Sequence, residues 1–195
     1  MTAEQTSVII KDTNANPAPL GLFGFGMTTV LLNLHNAGFF EMNSMILAMG
    51  LFYGGAAQVI AGIFEYKKGN TFGMTAFISY GFFWISLVGL IFMGKWGWIT
   101  AASGPAMVSY LVLWGIFTLL LFFGTLKINK ALQFVFGSLT ILFFLLAIGD
   151  ATHNESIAHF AGYEGIICGA SAIYTAIAVL LNEVYGRVVL PLGQK

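Results

Sequence analysis

The residues of this sequence that could do chemistry are few, and several lie inside long apolar segments. Glu164 and Ser171 stand in one such segment, and Gln58 stands in another. A polar group in hydrocarbon costs free energy unless it faces another helix or a water-filled path. Glu164 is therefore a candidate for binding a proton or a cation, although a carboxylate that reaches interfacial water explains it equally well.

The motifs on which many enzymes depend do not occur. The sequence contains no HExxH, GxSxG, GxxxxGK[ST] or CxxC pattern. The densest group of possible metal ligands matches no standard site and falls where a helix would meet water. We therefore predict no enzyme activity, no cofactor and no metal site, with a catalytic use of this group as the weaker alternative: Asp150, His153, Glu155 and His159.

Long apolar segments must position these residues. Of the 195 residues, 58% are hydrophobic and 8% are charged, whereas soluble domains carry about 25% charged residues. A spanning helix needs about 20 mostly apolar residues. We predict an all-α, multi-pass membrane protein with six transmembrane helices in a bundle within the lipid bilayer, over residues 20–37, 44–66, 71–94, 106–125, 131–150 and 158–182.

Basic residues predict how the bundle is oriented, because cytoplasmic loops carry an excess of Lys and Arg. Lys95 falls on one side, and the other seven basic residues fall on the opposite side. We expect both termini in the cytoplasm, with tails at 1–19 and 186–195 around a transmembrane domain at 20–185. The net charge of +0 gives no reason to expect a nucleic acid partner. The seven are Lys11, Lys67, Lys68, Lys127, Lys130, Arg187 and Lys195.

Depth along the helices brings five residues to one level. At 1.5 Å per residue, Phe25, Tyr80 and Leu139 lie roughly 8–14 Å above the cytoplasmic edge of their outward-running helices. On the inward-running helices, Gln58 and Ser171 reach about the same level. This layer is either a pore constriction or a packed core, because depth does not say which way a side chain points.

The outer end of the first span is polar. Asn33, His35 and Asn36 could guide a polar solute inward or contact lipid headgroups. No Lys or Arg lies in the interior of any span. An anionic substrate would then be held by hydroxyl groups, amides or backbone N–H groups, or would cross as the neutral acid.

One segment resembles a known signature. NPAPLGLFGFG at 16–26 is similar to the signature of the acetate uptake transporters, whose bacterial members are the succinate–acetate permeases. The likeness runs nearly end to end and includes EYKKGNTFGMTAF at 65–77 and HFAGYEGIICGASAIY at 159–174. The signature positions are Asn16, Pro17, Ala18, Pro19, Leu20, Gly21 and Leu22.

The resemblance implies a fold, an assembly and a function. Members of the family are six-helix bundles that assemble as hexamers in the cytoplasmic membrane, and each subunit has its own path. They move acetate, and often succinate or other short carboxylates, and are described both as proton symporters and as anion channels. Transport of ammonium, to which some yeast relatives have been linked, is the main alternative, and a structural or regulatory bundle is a weaker one.

The resemblance also implies which residues matter. It assigns a narrow hydrophobic constriction to Phe25, Tyr80 and Leu139, with Ala172 at a small-residue position that affects which acids pass. We expect the carboxylate to enter past the polar residues at the outer end of the first span and to leave near Gln58. Between them, Phe25 and Leu139 would form an apolar gate, and Tyr80 would offer its hydroxyl to a substrate oxygen. Because the family pattern is not generally acidic at Glu164, proton coupling there is a hypothesis for this sequence alone.

Overall fold

The structure is a computed structural model that describes residues 14–97 and 99–193. Within this part of the chain, six helices are long and apolar enough to cross a membrane. The prediction of six spans is confirmed, and the largest error at any helix end is three residues, as at 155 against the predicted 158. The helices are α1 (Ala18–Asn36), α2 (Ser44–Lys67), α3 (Thr71–Lys95), α4 (Gly104–Thr125), α5 (Lys130–Thr152) and α6 (Glu155–Tyr185).

Most helix starts have a local signal in the sequence. The side chains of Asn43, Asn70, Asn129 and Asn154 accept hydrogen bonds from backbone N–H groups in the first turns of α2, α3, α5 and α6. In α1, Pro19 occupies the first turn, where its missing N–H group is not needed. These caps fix where each helix leaves its short loop.

Glycines let α1 and α6 pack as the closest pair in the bundle. A Cβ atom added at Gly169 would lie 2.7 Å from the carbonyl oxygen of Gly26, and one added at Gly165 would overlap Asn33. Close backbone approach at small residues is a common way for helices to associate where lipid removes the hydrophobic driving force.

The remaining helices form a closed ring around an apolar centre. Next to the α1–α6 pair, α2 packs on α1 and α3, while α5 packs on α6 and α4. Aromatic side chains join α3 to α4. The ring of Phe83 lies 5.2 Å from that of Trp114 and 5.7 Å from that of Tyr110, between ring centroids. This last seam is therefore made of side chains rather than close backbones.

The middle of α2 departs from α-helical geometry. Residues Met49–Ala57 form a π-helix, which the hydropathy pattern of the sequence does not predict. Such segments often accompany functional sites, because they change the direction of the helix face that follows. The α-helical pattern resumes at Gln58.

The segment that follows α6 lies against the bundle. The Asn182 side chain accepts hydrogen bonds from the backbone N–H groups of Val189 and Leu190, at 2.6 and 3.0 Å. The first two N–H groups of α5 donate to the carbonyl groups of Gly193 and Leu192, at 3.1 and 3.0 Å. The predicted tail is thus packed as far as residue 193. Residues 1–13 of the N-terminal tail and residues 194–195 lie outside the described residues.

Packing between α1 and α6 predicts how the protein responds to a single added methyl group. Gly169→Ala should destabilise the bundle by about 1–3 kcal/mol, because the new Cβ atom would press on backbone atoms of α1 that cannot rotate away. Gly89→Ala is the matched control, since its Cβ atom meets only the end of Met93 at 3.6 Å. Thermal unfolding in detergent should show a lower midpoint for Gly169→Ala alone. Equal midpoints would contradict this account of the helix pair.

Candidate functional site

Three residues from three helices meet at the centre of the bundle. Phe25 of α1 and Tyr80 of α3 have ring centroids 5.9 Å apart, and Leu139 of α5 is buried in the same apolar cluster. We call these three residues the neck. With Gln58, they line a cavity of about 20 Å³, which has room for about one water molecule. In this conformation the neck is closed to a carboxylate.

Of the other residues around the neck cavity, only Leu22 was singled out from the sequence, as a signature position. These residues lie about one helical turn from the neck residues, towards the N-terminal ends of α1, α3 and α5. Because they stand three or four places earlier in the chain, they share the same helix faces. This spacing was a signal that could have identified them. They are Leu22 on α1, Ala76 and Phe77 on α3, and Val135 and Phe136 on α5.

The Tyr80 hydroxyl is already paired. It donates a hydrogen bond of 2.9 Å to the Thr118 hydroxyl of α4. In turn, Thr118 donates to the backbone carbonyl of Trp114 at 2.7 Å. To donate to a substrate, as predicted from the sequence, Tyr80 must exchange its bond with Thr118. The importance of Thr118 could not be recognised from the sequence, because the hydroxyl of a threonine in a spanning helix usually donates only to a backbone carbonyl of the same helix.

Gln58 faces the neck through its amide. Its Nε2 group donates to the Gly54 carbonyl at 2.6 Å, which fixes the orientation of the amide, since a carbonyl oxygen only accepts. The Gln58 Oε1 atom is buried and has no hydrogen-bond partner in the described part of the chain. The neck cavity therefore has one polar acceptor in an otherwise largely apolar wall.

Two residues of α6 that were predicted for the same layer have different surroundings. Ala172 is fully buried in the apolar cluster that contains the neck. Ser171 lies instead in a groove with Lys130, Tyr174 and the C-terminal segment, and its hydroxyl donates to the backbone carbonyl of Cys168 at 2.6 Å. The structure therefore brings Ala172 close to the neck and leaves Ser171 on the periphery.

A polar pocket lies at the C-terminal end of α1 and the N-terminal end of α6. His35 and Asn36 line this pocket of about 540 Å³ together with Glu41, Glu155 and His159. Asn33 does not line it. Its side chain is buried, donates to the Thr29 carbonyl at 2.9 Å and accepts from Asn36 at 3.0 Å. Of the three residues predicted for this end, two are thus placed to meet a solute.

A larger vestibule of about 800 Å³ opens on the opposite side of the neck. It shares Leu22 and Phe77 with the neck cavity, so the two spaces adjoin. Its wall includes Glu65, which was not predicted. The Glu65 side chain is 2% exposed and accepts a hydrogen bond of 2.8 Å from Asn70. Basic residues of the predicted cytoplasmic side, Lys68 and Arg187, line the same vestibule.

The signature residues begin α1 at the edge of this vestibule. The Asn16 side chain accepts a hydrogen bond of 3.1 Å from the backbone N–H group of Ala18. A Cβ atom at Gly21 would collide with the ring of Phe77, at 2.5 Å. The signature therefore sets the start of α1 and leaves room beside Gly21 for the Phe77 ring of α3. Pro17 precedes the helix, and Leu20 is exposed.

Glu164 lies on α6, four residues before Cys168, whose Sγ atom donates to the Val135 carbonyl of α5 at 3.8 Å. Residues four apart share a helix face, so Glu164 is directed towards the side of α6 that packs on α5. The residue is half-buried, and its Oε2 atom is buried with no hydrogen-bond partner in the described residues.

Comparison with known proteins identifies close relatives. The profile of the GPR1/FUN34/yaaH family matches residues 2–193. The succinate-acetate/proton symporter SatP of Escherichia coli (strain K12) is 62% identical over 180 residues, which cover 92% of this chain and 96% of that protein. The solved structure of the bacterial acetate channel SatP has a TM-score of 0.91 and 62% identity, and the match covers 93% of this chain and 100% of that chain.

A more distant relative has a different substrate in its name. Ammonia transport outward protein 2 of Saccharomyces cerevisiae (strain ATCC 204508 / S288c) is 37% identical over 172 residues. The match covers 84% of this chain and 61% of that protein.

The pairing of Tyr80 with Thr118 predicts an asymmetric response to substitution. Thr118→Val should cost about 1–3 kcal/mol, because it leaves the Tyr80 hydroxyl buried without an acceptor. Tyr80→Phe should cost about 1 kcal/mol or less, because Thr118 keeps its bond to the Trp114 carbonyl. Thermal unfolding midpoints in detergent measure both. A larger loss for Tyr80→Phe than for Thr118→Val would show that the hydroxyl is paired differently.

Proposed function

This chain belongs to the GPR1/FUN34/yaaH family, and we propose that it carries acetate and other short carboxylates, such as succinate, through a path inside each subunit. It is a multi-pass membrane protein, and we assign it to the cytoplasmic membrane. The observation that carries the proposal is the neck: it closes the centre of a bundle that matches an acetate channel at a TM-score of 0.91. Relatives named as transporters and channels favour transport over catalysis.

The proposed path runs from the outer pocket to the vestibule. A solute enters past His35 and Asn36, crosses the neck beside Gln58, and leaves through the vestibule. Lys68 and Arg187 border that vestibule, and the excess of basic residues on cytoplasmic loops supports placing this end, with both termini, in the cytoplasm.

The neck acts as the gate in this proposal. Phe25 and Leu139 present apolar groups to a space that holds about one water molecule, and an apolar constriction blocks an empty pore by excluding water. Ala172 lies fully buried in the same cluster, so its small volume leaves room for the neck side chains to move. Tyr80 contributes its hydroxyl when its bond to Thr118 is exchanged.

Glu164 is the proposed proton-coupling residue. A carboxylate with an unpartnered buried oxygen can accept a proton without breaking an existing hydrogen bond. One similar protein is named as a proton symporter and one similar structure as a channel. Protonation of Glu164 would couple acetate movement to the proton gradient, as a symporter requires.

Ammonium is the second candidate substrate. It is favoured by the name of the yeast relative and by the unpaired Gln58 Oε1 acceptor at the neck. We also propose a homo-oligomer of six subunits, as the family resemblance implies. Exposed apolar side chains such as Phe52 and Leu113 leave faces for lipid or for neighbouring subunits.

Uptake into proteoliposomes tests the proposed function. Labelled acetate should enter vesicles that contain the protein faster than it enters protein-free vesicles, which measure passive entry. An inward proton gradient should drive accumulation if the protein is a symporter, and Glu164→Gln should abolish that accumulation. Asp150→Asn, which neutralises an exposed carboxylate in the last turn of α5, is the matched control and should leave accumulation unchanged. Equilibration with an acetate current indicates a channel. Uptake of ammonium without uptake of acetate would overturn the proposal.

Widening the neck should change which acids pass. Leu139→Ala and Phe25→Ala should raise the uptake of malate relative to acetate by about tenfold, the effect expected when an apolar pocket loses methylene-sized groups. Leu120→Ala, which shortens a side chain that is 65% exposed on α4, is the matched control. Selectivity that is unchanged in both neck variants would exclude these residues as the gate.

A further inference from the structure

A groove on the outside of the bundle lies apart from the proposed path. It has a volume of about 550 Å³ and runs between the start of α2 and the end of α3, at the end of the bundle opposite the vestibule. None of the residues that line it lines the neck cavity, the polar pocket or the vestibule. The groove is therefore separate from the path, and its volume is within the range of sites that hold small molecules.

The groove exists because α2 and α3 diverge towards this end. In their middle parts the two helices are in close contact, since a Cβ atom added at Gly81 of α3 would lie 2.9 Å from the Gly55 carbonyl oxygen of α2. The first turn of α2, Ser44–Ala48, has its main contacts with α1 and with the π-helix rather than with α3. The divergence leaves side chains of both helices around an open space.

The walls of this groove are mainly apolar. Leu47, Leu51 and Phe52 of α2 form one wall. Phe92 of α3 and Trp96, which follows α3, form the other, and their rings stack at 5.0 Å between centroids. The part of α2 that lines the groove is about 10 Å long, and one leaflet contributes about 15 Å of hydrocarbon to a bilayer. An acyl chain of a lipid in that leaflet therefore fits the groove over most of its length.

One positive charge stands in the wall of the groove. Among the described residues that line it, Lys95 alone is charged. Lys95 is exposed, and no carboxylate pairs with it within the part of the chain that the structure describes. The other charged groups at this end of the bundle are carboxylates, at Glu41, Asp150 and Glu155. An anion that reaches this end therefore meets a favourable charge at the groove, and lysine binds phosphate groups as a point charge.

We infer that the groove binds one anionic phospholipid. The headgroup phosphate contacts the Lys95 ammonium group, and one acyl chain lies between α2 and α3 against Leu47, Leu51 and Phe92. Trp96 stands beside Lys95, in keeping with the preference of tryptophan for the level of the lipid headgroups. The inference does not depend on the proposed function, because the groove shares no residue with the path.

The charge in the groove favours a lipid over a second copy of this chain. A phosphate group supplies the counter-charge that Lys95 lacks. The face that α4 offers to a neighbour is apolar, with Leu113, Leu120 and Phe123 exposed. Such a face would cover the Lys95 ammonium group without pairing it, and an unpaired buried charge costs free energy.

Binding of defined lipids to the full chain in detergent tests the headgroup contact. In native mass spectrometry, dioleoylphosphatidylglycerol should bind about fivefold more tightly than dioleoylphosphatidylcholine, which has the same acyl chains and no net charge, because one lysine near an anionic headgroup has an effect of this size. Lys95→Gln should remove that preference, and Lys95→Arg should keep it. Lys127→Gln, which removes an exposed charge at the opposite end of the bundle, is the matched control. An unchanged preference in Lys95→Gln would overturn the inference.

Filling the groove tests where the acyl chain lies. Ala48 is exposed and lines the groove, so Ala48→Phe fills the space without disturbing the core. Binding of dioleoylphosphatidylglycerol should then fall by at least about fivefold, whereas Ala170→Phe, at an exposed position of α6, should leave it unchanged. Unchanged binding in Ala48→Phe would contradict the site. If that variant also separates an oligomer, as light scattering would show, a second copy covers the groove instead.

Discussion

Hydrocarbon provides no hydrogen-bond partners, so every polar group in the six helices must be satisfied by the protein or by what passes through it. Most hydroxyl groups in the spans meet this constraint locally. Thr140 and Thr175, for example, donate to the carbonyl groups four residues earlier, both at 2.8 Å. Within the described residues, four buried side-chain atoms lack a partner: three belong to Thr29, Gln58 and Trp84, at the neck or one turn from it, and the fourth belongs to Glu164 on α6. The path is therefore marked by where the helices leave polar groups without partners, rather than by charge.

The same constraint explains how the bundle is closed. On one side, glycines bring the backbones of α1 and α6 together, and a methyl group added at Gly169 would already clash. On the other side, α3 and α4 meet through aromatic side chains such as Phe83 and Trp114. Side chains between two helices can change rotamer while the helices stay in place, whereas a close contact between backbones changes only if the helices move apart. The neck thus lies between a fixed wall and an adaptable one, and Tyr80 belongs to the adaptable wall through its bond to Thr118.

The fold could be predicted well from the sequence, because the length of the apolar segments and the placement of Asn, Pro and Gly determine the spans and the turns. Depth also predicted that Phe25, Tyr80, Leu139 and Gln58 share one level, and the structure brings them around one cavity. Depth is only one coordinate, however. Rotation about each helix axis is set by packing, and for that reason Ser171, at the same level, faces a peripheral groove.

Other features had no signal of this kind. Asn33 lies in the last turn of α1, where a solute was predicted to meet it, but its side chain packs against α6 because Gly165 leaves space for it. The π-helix at Met49–Ala57 depends on the contacts of α2 with its neighbours, which a hydropathy pattern does not contain. The packing of the C-terminal segment rests on a few polar contacts, above all those of Asn182, which composition alone cannot pair with residues seven or eight places later.

Chemical closure of the neck is the most direct test of whether acetate passes between Phe25, Tyr80 and Leu139. Leu139→Cys in a Cys168→Ala background would carry one thiol at the neck. Leu120→Cys in the same background would carry one on the exposed face of α4, away from the neck. Modification by a small methanethiosulfonate reagent should abolish acetate uptake by the neck variant only, and acetate should slow the modification. Complete modification of the neck cysteine with undiminished uptake would show that the substrate takes another route.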